Sequence, residues 1–204
     1  MMMITQVHGH KLVLAELGQD DCSGLLGGPV DVVYNAPPNP DTINWWRGYK
    51  QVTYTYEDFL RALFGLYDQA DAEEYYIECG KVHPAIVGYF AGRGLVMQER
   101  QILYSAPING TGPGMAKRRV PYTLVVASKR PVPMPAGDYS HEAIADALSR
   151  HQPGETVFDP CLGKGLALRA AIARGMQCIG IEASTERLQC AIDWVTAKGG
   201  TTEC

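Results

Sequence analysis

The stretch ETVFDPCLGKGLALRAAIARGMQCIGIEAS, Glu155 to Ser184, decides the fold. Thr156 to Asp159 is a short run bounded by turn residues and reads as a strand, Leu166 to Arg174 is rich in Ala and Leu and reads as a helix, and Cys178 to Glu182 reads as a second strand. Strand, helix and strand at these lengths form a crossover unit, which sets the two strands parallel. Gly163 and Gly165 occupy the first turn, where the lack of a side chain lets backbone amides approach a ligand. Glu182 ends the second strand 19 positions after Gly163, a spacing that suits a carboxylate to a pair of ribose hydroxyls. A strand–turn–helix that binds nothing is the bland alternative.

Two nucleoside ligands compete for this turn. A dinucleotide site wants G-x-G-x-x-G, whereas the chain has G-K-G-L-A-L, and Asp159 just before the turn would repel a pyrophosphate. The same acid would pair with the ammonium of an amino-acid moiety, which S-adenosylmethionine carries.

Outward from this unit the pattern continues. His141 to Arg150 reads as a helix ahead of it and Thr185 to Val195 as a helix after it. Lys11 to Glu16, Val30 to Asn35 and Tyr75 to Cys79 read as strands, Tyr56 to Tyr67 and Pro84 to Phe90 as helices. Leu95 to Tyr104 and Val120 to Ser128 read as two long antiparallel strands joined by a Gly-rich loop. The 16 residues Asp41 to Tyr56 read as an aromatic loop. The expected architecture is a Rossmann-like α/β fold: a mostly parallel sheet, an antiparallel strand pair at one edge, and helices on both faces.

Composition agrees with a globular chain. Hydrophobic residues make up 46% and charged residues 20% of 204 residues, and a chain of this length buries about 70% of its unfolded surface. A net charge of −4 argues against holding nucleic acid by bulk charge alone. The six cysteines form no C-x-x-C pair and no Cys/His cluster at zinc spacing, so no metal is implied. No apolar run approaches the length of a membrane span, and the first ten residues hold no apolar leader core. The chain reads as a soluble, cytoplasmic protein, residues 1–204 forming one domain.

FDPCLGKG followed by AAIARGMQCIGIE resembles motifs I and II of the S-adenosylmethionine-dependent amino methyltransferases of DNA. The upstream stretch Lys129 to Glu155 resembles motif X, which precedes motif I in the circularly permuted β class of that family. VDVVYNAPPNP, Val30 to Pro40, sits where that class carries its catalytic motif IV, D-P-P-Y, and QDDCSGLL, Gln19 to Leu26, resembles the segment leading into it. The resemblance runs from about Lys11 to Trp194. It implies S-adenosyl-L-methionine as cofactor, methyl transfer to adenine N6 or cytosine N4, and DNA as partner.

The same resemblance assigns roles. Asp159, Gly163 and Gly165 would lie against the methionine part, Glu182 would take the ribose hydroxyls, Asp21 the adenine amino group, and the backbone at Phe158 and Cys161 would line the pocket. Motif IV departs from the family: aligning Pro37 and Pro38 puts Ala36 where the family has an acceptor and Asn39 where it has a stacking aromatic. Asn35 lies one residue earlier, and the carbonyl of Pro37 keeps one acceptor. Trp45, Trp46 and Arg47 suit base stacking and backbone contact, and Lys117, Arg118 and Arg119 suit phosphate contact. Aromatics covering a sheet edge or a dimer interface, and plain solvated charge, are the alternatives. The loops are too short for a separate target-recognition domain, so the expectation is a protein reading few bases, or acting as a homodimer or with a partner subunit. A catalytically silent module that binds nucleic acid or a partner subunit, and a methyltransferase with a non-DNA acceptor, remain the competing functions.

Overall fold

Alternation along the strands sorts their side chains to two faces, and the helices cover both. The computed structural model describes residues 2–49, 52–107 and 117–197. In chain order the elements are β1 (Met3–Val7), β2 (His10–Leu14), β3 (Val32–Asn35), α1 (Pro40–Tyr49), α2 (Tyr56–Ala70), β4 (Glu74–Cys79), α3 (His83–Phe90), β5 (Val96–Pro107), β6 (Lys117–Ser128), α4 (Ser140–Leu148), β7 (Thr156–Asp159), α5 (Leu166–Ala173), β8 (Gln177–Glu182) and α6 (Thr185–Thr196). The strands form one sheet in the order β1-β2-β8-β7-β3-β4-β6-β5. The five central strands, β2, β8, β7, β3 and β4, run parallel.

Val33, Tyr75, Ile77, Phe158 and Ile181 pack under α2 and α3, while Val32, Tyr34, Tyr76, Val157 and Cys178 pack under α4, α5 and α6. The period of 2 puts Val32 and Val33 on opposite faces of a sheet buried on both sides. Helix α2 starts at a capping box: the Thr55 side chain accepts from the Asp58 N–H at 3.1 Å, and Asp58 Oδ2 accepts from the Thr55 N–H at 2.9 Å. It then buries Phe59, Leu63, Leu66, Tyr67 and Ala70 along one stripe.

The expected antiparallel pair, β6 and β5, follows β4 at one edge; an additional strand, β1, pairs antiparallel with β2 at the other edge. The joining residues His8 and Gly9 both have positive φ, the geometry of a two-residue hairpin turn. One expectation needs correction. The segment read as an aromatic loop contains α1. Its start is set by the Asn39 carbonyl, which accepts from the Thr42 N–H at 2.9 Å, and by Pro40 at the first helical position.

The chain leaves β7 through α5 toward β8 and leaves β3 through α1 and α2 toward β4 on the other face. The carboxyl ends of β7 and β3 therefore flank the crevice where open α/β sheets bind ligands.

Candidate active site

The Gly-rich turn is fastened to β8 from both sides. The Leu162 N–H donates to the Ile181 carbonyl at 2.8 Å, and the Gly163 N–H donates to Glu182 Oε2 at 2.8 Å. Glu182 Oε1 accepts from the Ser184 N–H at 2.8 Å. Gly180 makes this docking possible, because a Cβ there would stand 2.8 Å from Leu162 Cδ1. Gly165, at φ +69°, caps α5 in the left-handed region. A Cβ on it would meet Leu168 and Ala191 rather than the crevice.

Asp159 ends β7 beside this turn and accepts from the Cys161 N–H at 3.1 Å. It is 4% exposed, and burial, with Glu182 and Glu78 adding to it, pushes its carboxyl up to about 8. Burial also raises Glu182, against the pull of the Ser184 N–H and Arg187. The Cys161 thiol is pushed well up, first by burial and then by Asp159 and Glu182. Phe158 is fully buried, its ring in the core under α2 and its main chain paired between β3 and β8.

The other predicted residues spread around the crevice. Asp21 is exposed, and its Oδ1 accepts from the Ser23 N–H at 2.8 Å, a local turn; bonds from Ser23 hold its carboxyl below the usual range. Asn35 is fully buried on the α2 side, where its Nδ2 donates to the Tyr67 hydroxyl at 2.7 Å and its Oδ1 has no partner among the described residues. Ala36 is exposed and Pro37 buried, and the half-buried Pro38 accepts at its carbonyl from the Tyr56 hydroxyl at 3.4 Å. Asn39 ties the turn after β4 to the middle of β6: Oδ1 accepts from the Lys81 N–H at 2.7 Å, and Nδ2 donates to the Tyr122 hydroxyl at 3.2 Å.

On α1, Trp45 is 58% exposed, Arg47 is exposed, and Trp46 is half-buried against the core under α2. Arg119 is exposed on β6, its guanidinium 5.2 Å from the centre of the Tyr139 ring. The side chains of Lys117 and Arg118, and residues 108–116 of the basic loop, lie outside the described residues. Among the described residues, no three or more His, Cys, Asp and Glu group to hold a metal ion, and no helix is long and apolar enough to cross a membrane.

No protein-family model matches the chain, and no curated protein matches it. Solved structures do match. The PvuII DNA methyltransferase, cytosine-N4-specific, aligns with a TM-score of 0.59 over 91% of this chain and 86% of its own, at 10% identity. TTHA0409 of Thermus thermophilus, a candidate DNA modification methylase, aligns at 0.55 over 86% and 90%, at 17% identity. The M1.HpyAVI–SAM complex aligns at 0.53 over 82% and 89%, also at 17% identity.

The fold is the Rossmann-like methyltransferase fold. At these identities the likeness establishes architecture.

Sequence reasoning missed one buried residue on this methyltransferase scaffold. Glu78, at the end of β4, is 1% exposed; Tyr34 donates a hydrogen bond to its Oε1, and the Ser140 hydroxyl donates to its Oε2 at 2.8 Å. Burial pushes its carboxyl up to about 7. The charged position inside the otherwise apolar run Tyr75 to Cys79 was the available signal, since a buried acid needs partners or a function. Its partners lie 44 and 62 residues away in sequence, which hides them from local patterns.

Proposed function

We propose that the chain is an S-adenosylmethionine-dependent methyltransferase acting on an exocyclic amino group in DNA, adenine N6 or cytosine N4. One observation carries the reading. Two buried carboxyls, Asp159 and Glu182, end the strands that flank one Gly-rich turn, a third, Glu78 on β4, acts on Asp159, and none of the three makes an ion pair among the described residues. Such a crevice favours a ligand with positive charge and disfavours a pyrophosphate. S-adenosylmethionine carries a sulfonium, an ammonium and a ribose diol, so the residues present fit it. TTHA0409 and M1.HpyAVI have both been crystallised with that molecule, and the PvuII enzyme acts on cytosine N4, which supports cofactor and acceptor class alike.

When bound, the cofactor supplies a methyl group on a positively charged sulfur. Glu182 accepts from the ribose hydroxyls while keeping the Gly163 and Ser184 N–H groups, since a carboxylate has about four acceptor sites. Asp159 faces the ammonium, which favours its ionised form. The main chain at Phe158, Cys161 and Gly163 lines the pocket, Gly165 shapes the turn, and Asp21 takes the adenine amino group if its bond to Ser23 opens. The Pro37 carbonyl orients the target amino group, with Pro38 fixing the segment. Trp45 and Arg47 on α1, and Lys117, Arg118 and Arg119 on the hairpin, contact the DNA strand. Rate enhancement then comes from proximity and orientation, with no covalent intermediate.

One observation favours a second reading, a silent module that works beside a partner subunit. Ala36 has no acceptor, Asn35 is turned into the core, and the Asn39 amide is engaged elsewhere. Calorimetric titration with S-adenosylmethionine and tritiated methyl incorporation into duplex DNA separate the two. Uptake with transfer supports the enzyme, uptake without transfer supports the silent module, and a wild-type protein that takes up no cofactor refutes the enzyme.

A further inference from the structure

Asn39 stands where the Pro-Pro segment lacks an aromatic, yet it is tied to one on another strand. The Tyr122 hydroxyl that accepts from its Nδ2 at 3.2 Å belongs to a ring stacked on Tyr104, with centroids 5.0 Å apart and planes at 18°. Strand register explains the pair. Across β5 and β6, Ile102 faces Tyr122 and Tyr104 faces Val120, which makes the two tyrosines diagonal neighbours on one sheet face. Ile102 and Tyr122 belong to the core under α4, α5 and α6, the same face on which Tyr34 lies beneath Glu78.

The pair also borders the crevice. Tyr104 feels the charges of Glu78 and Arg187, and Arg187 in turn acts on Glu182. Tyr122 is half-buried, while Tyr104 remains 38% exposed, one of few large apolar side chains so open among the described residues. The hairpin that carries both rings also carries Lys117, Arg118 and Arg119 in sequence, a charge suited to a phosphodiester strand. An aromatic face beside basic residues is the arrangement that stacks unpaired bases.

We propose that Tyr104, backed by Tyr122, is the surface on which a nucleobase stacks, standing in for the aromatic absent at Asn39. The inference deepens the methyltransferase reading and rests on it for the kind of base, one bearing an exocyclic amino group. The test uses the full chain and fluorescence anisotropy with two labelled single strands of equal length, oligodeoxyadenylate and an abasic strand. Tyr104→Ala is expected to weaken oligodeoxyadenylate binding about 5- to 150-fold per stacked base and to leave abasic binding unchanged. Tyr104→Phe keeps wild-type affinity. Tyr104→Leu, which still covers Tyr122 but has no aromatic face, loses as much as Tyr104→Ala. Equal affinity of Tyr104→Ala and wild type, an equal loss on the abasic strand, or a wild type that binds neither strand overturns the proposal. Titrating the same proteins with S-adenosylmethionine reads the methyltransferase assignment separately. Base-dependent binding by a wild type that takes up no cofactor overturns that assignment and leaves the stacking surface standing.

Discussion

Replacing Asp159 with Asn should stabilise the protein at alkaline pH while weakening its hold on the cofactor. The carboxyl is 4% exposed, and its pKa rises from 3.8 to about 8, first through burial and then through Glu182 and Glu78. The folded protein therefore keeps a proton that the unfolded chain releases above pH 3.8. Stability from this group is complete below that pH, falls as pH rises, and is lost once pH passes about 8. At about 1.4 kcal/mol per pH unit the interval amounts to roughly 5–6 kcal/mol, against the roughly 5–15 kcal/mol that holds a typical domain. About 3 kcal/mol of it falls between about pH 5.5 and 8.5. Asn keeps the shape and an oxygen for the Cys161 N–H, but has no charge to bury. Urea unfolding at both pH values should show wild-type stability falling by about that amount and the Asp159→Asn slope correspondingly flatter. Calorimetry should show at least about tenfold weaker cofactor binding, the order of a lost charge-assisted hydrogen bond. A variant less stable than wild type at the higher pH, or one with an unchanged slope, would refute the argument.

Gly165→Ala should lower thermal stability by about 1–2 kcal/mol through backbone strain at φ +69°, because its Cβ would make ordinary contacts with Leu168 and Ala191. Scanning calorimetry reads the loss, and a destabilised variant that still takes up cofactor supports strain over a blocked pocket. Trp46→Ala should cost about 1–3 kcal/mol of stability and Trp45→Ala about 0.5 or less, compared by urea unfolding, since only Trp46 packs on the core. Ala36→Asp, at an exposed position, should raise tritiated methyl incorporation by about one to two decades. Adding Asn39→Tyr should instead cost about 1–2 kcal/mol of stability by cutting the bonds to Lys81 and Tyr122, which makes the single variant the cleaner assay.

The parallel core was legible because each crossover strand carries its own signature. Thr156 to Asp159 is bounded by Gly and Pro, and the Leu166 helix has high propensity throughout. The elements that escaped reading have weak local signals. Residues of β1 are mostly exposed at the sheet edge, so no apolar face marks them. Helix α1 mixes Thr, Ile, Trp and Gly in ten residues and follows directly on the Pro-Pro segment, so neither high propensity nor a clear apolar stripe marks it. On the candidate site, the Gly163 and Glu182 spacing translated into a direct hydrogen bond of 2.8 Å. Glu78 and the Tyr104–Tyr122 pair could not be read locally. Their partners meet only after the sheet has formed, across separations such as the 83 residues from Asn39 to Tyr122.

The strand order has a consequence for biosynthesis. β7 and β8, made after β1 to β6, insert between β2 and β3. Until they arrive, the nascent chain holds two partial sheets whose open inner edges, His10 to Leu14 and Val32 to Asn35, lack the neighbours that will satisfy their backbones. The sheet is closed from its middle, only once β8 has emerged. Completion of the sheet should therefore lag behind synthesis of its edges, with a window in which chaperone supply governs yield. A circular permutant opened in the segment between β6 and α4, with β7 and β8 leading, would synthesise the sheet's centre first and should complete its sheet sooner during translation than the natural order.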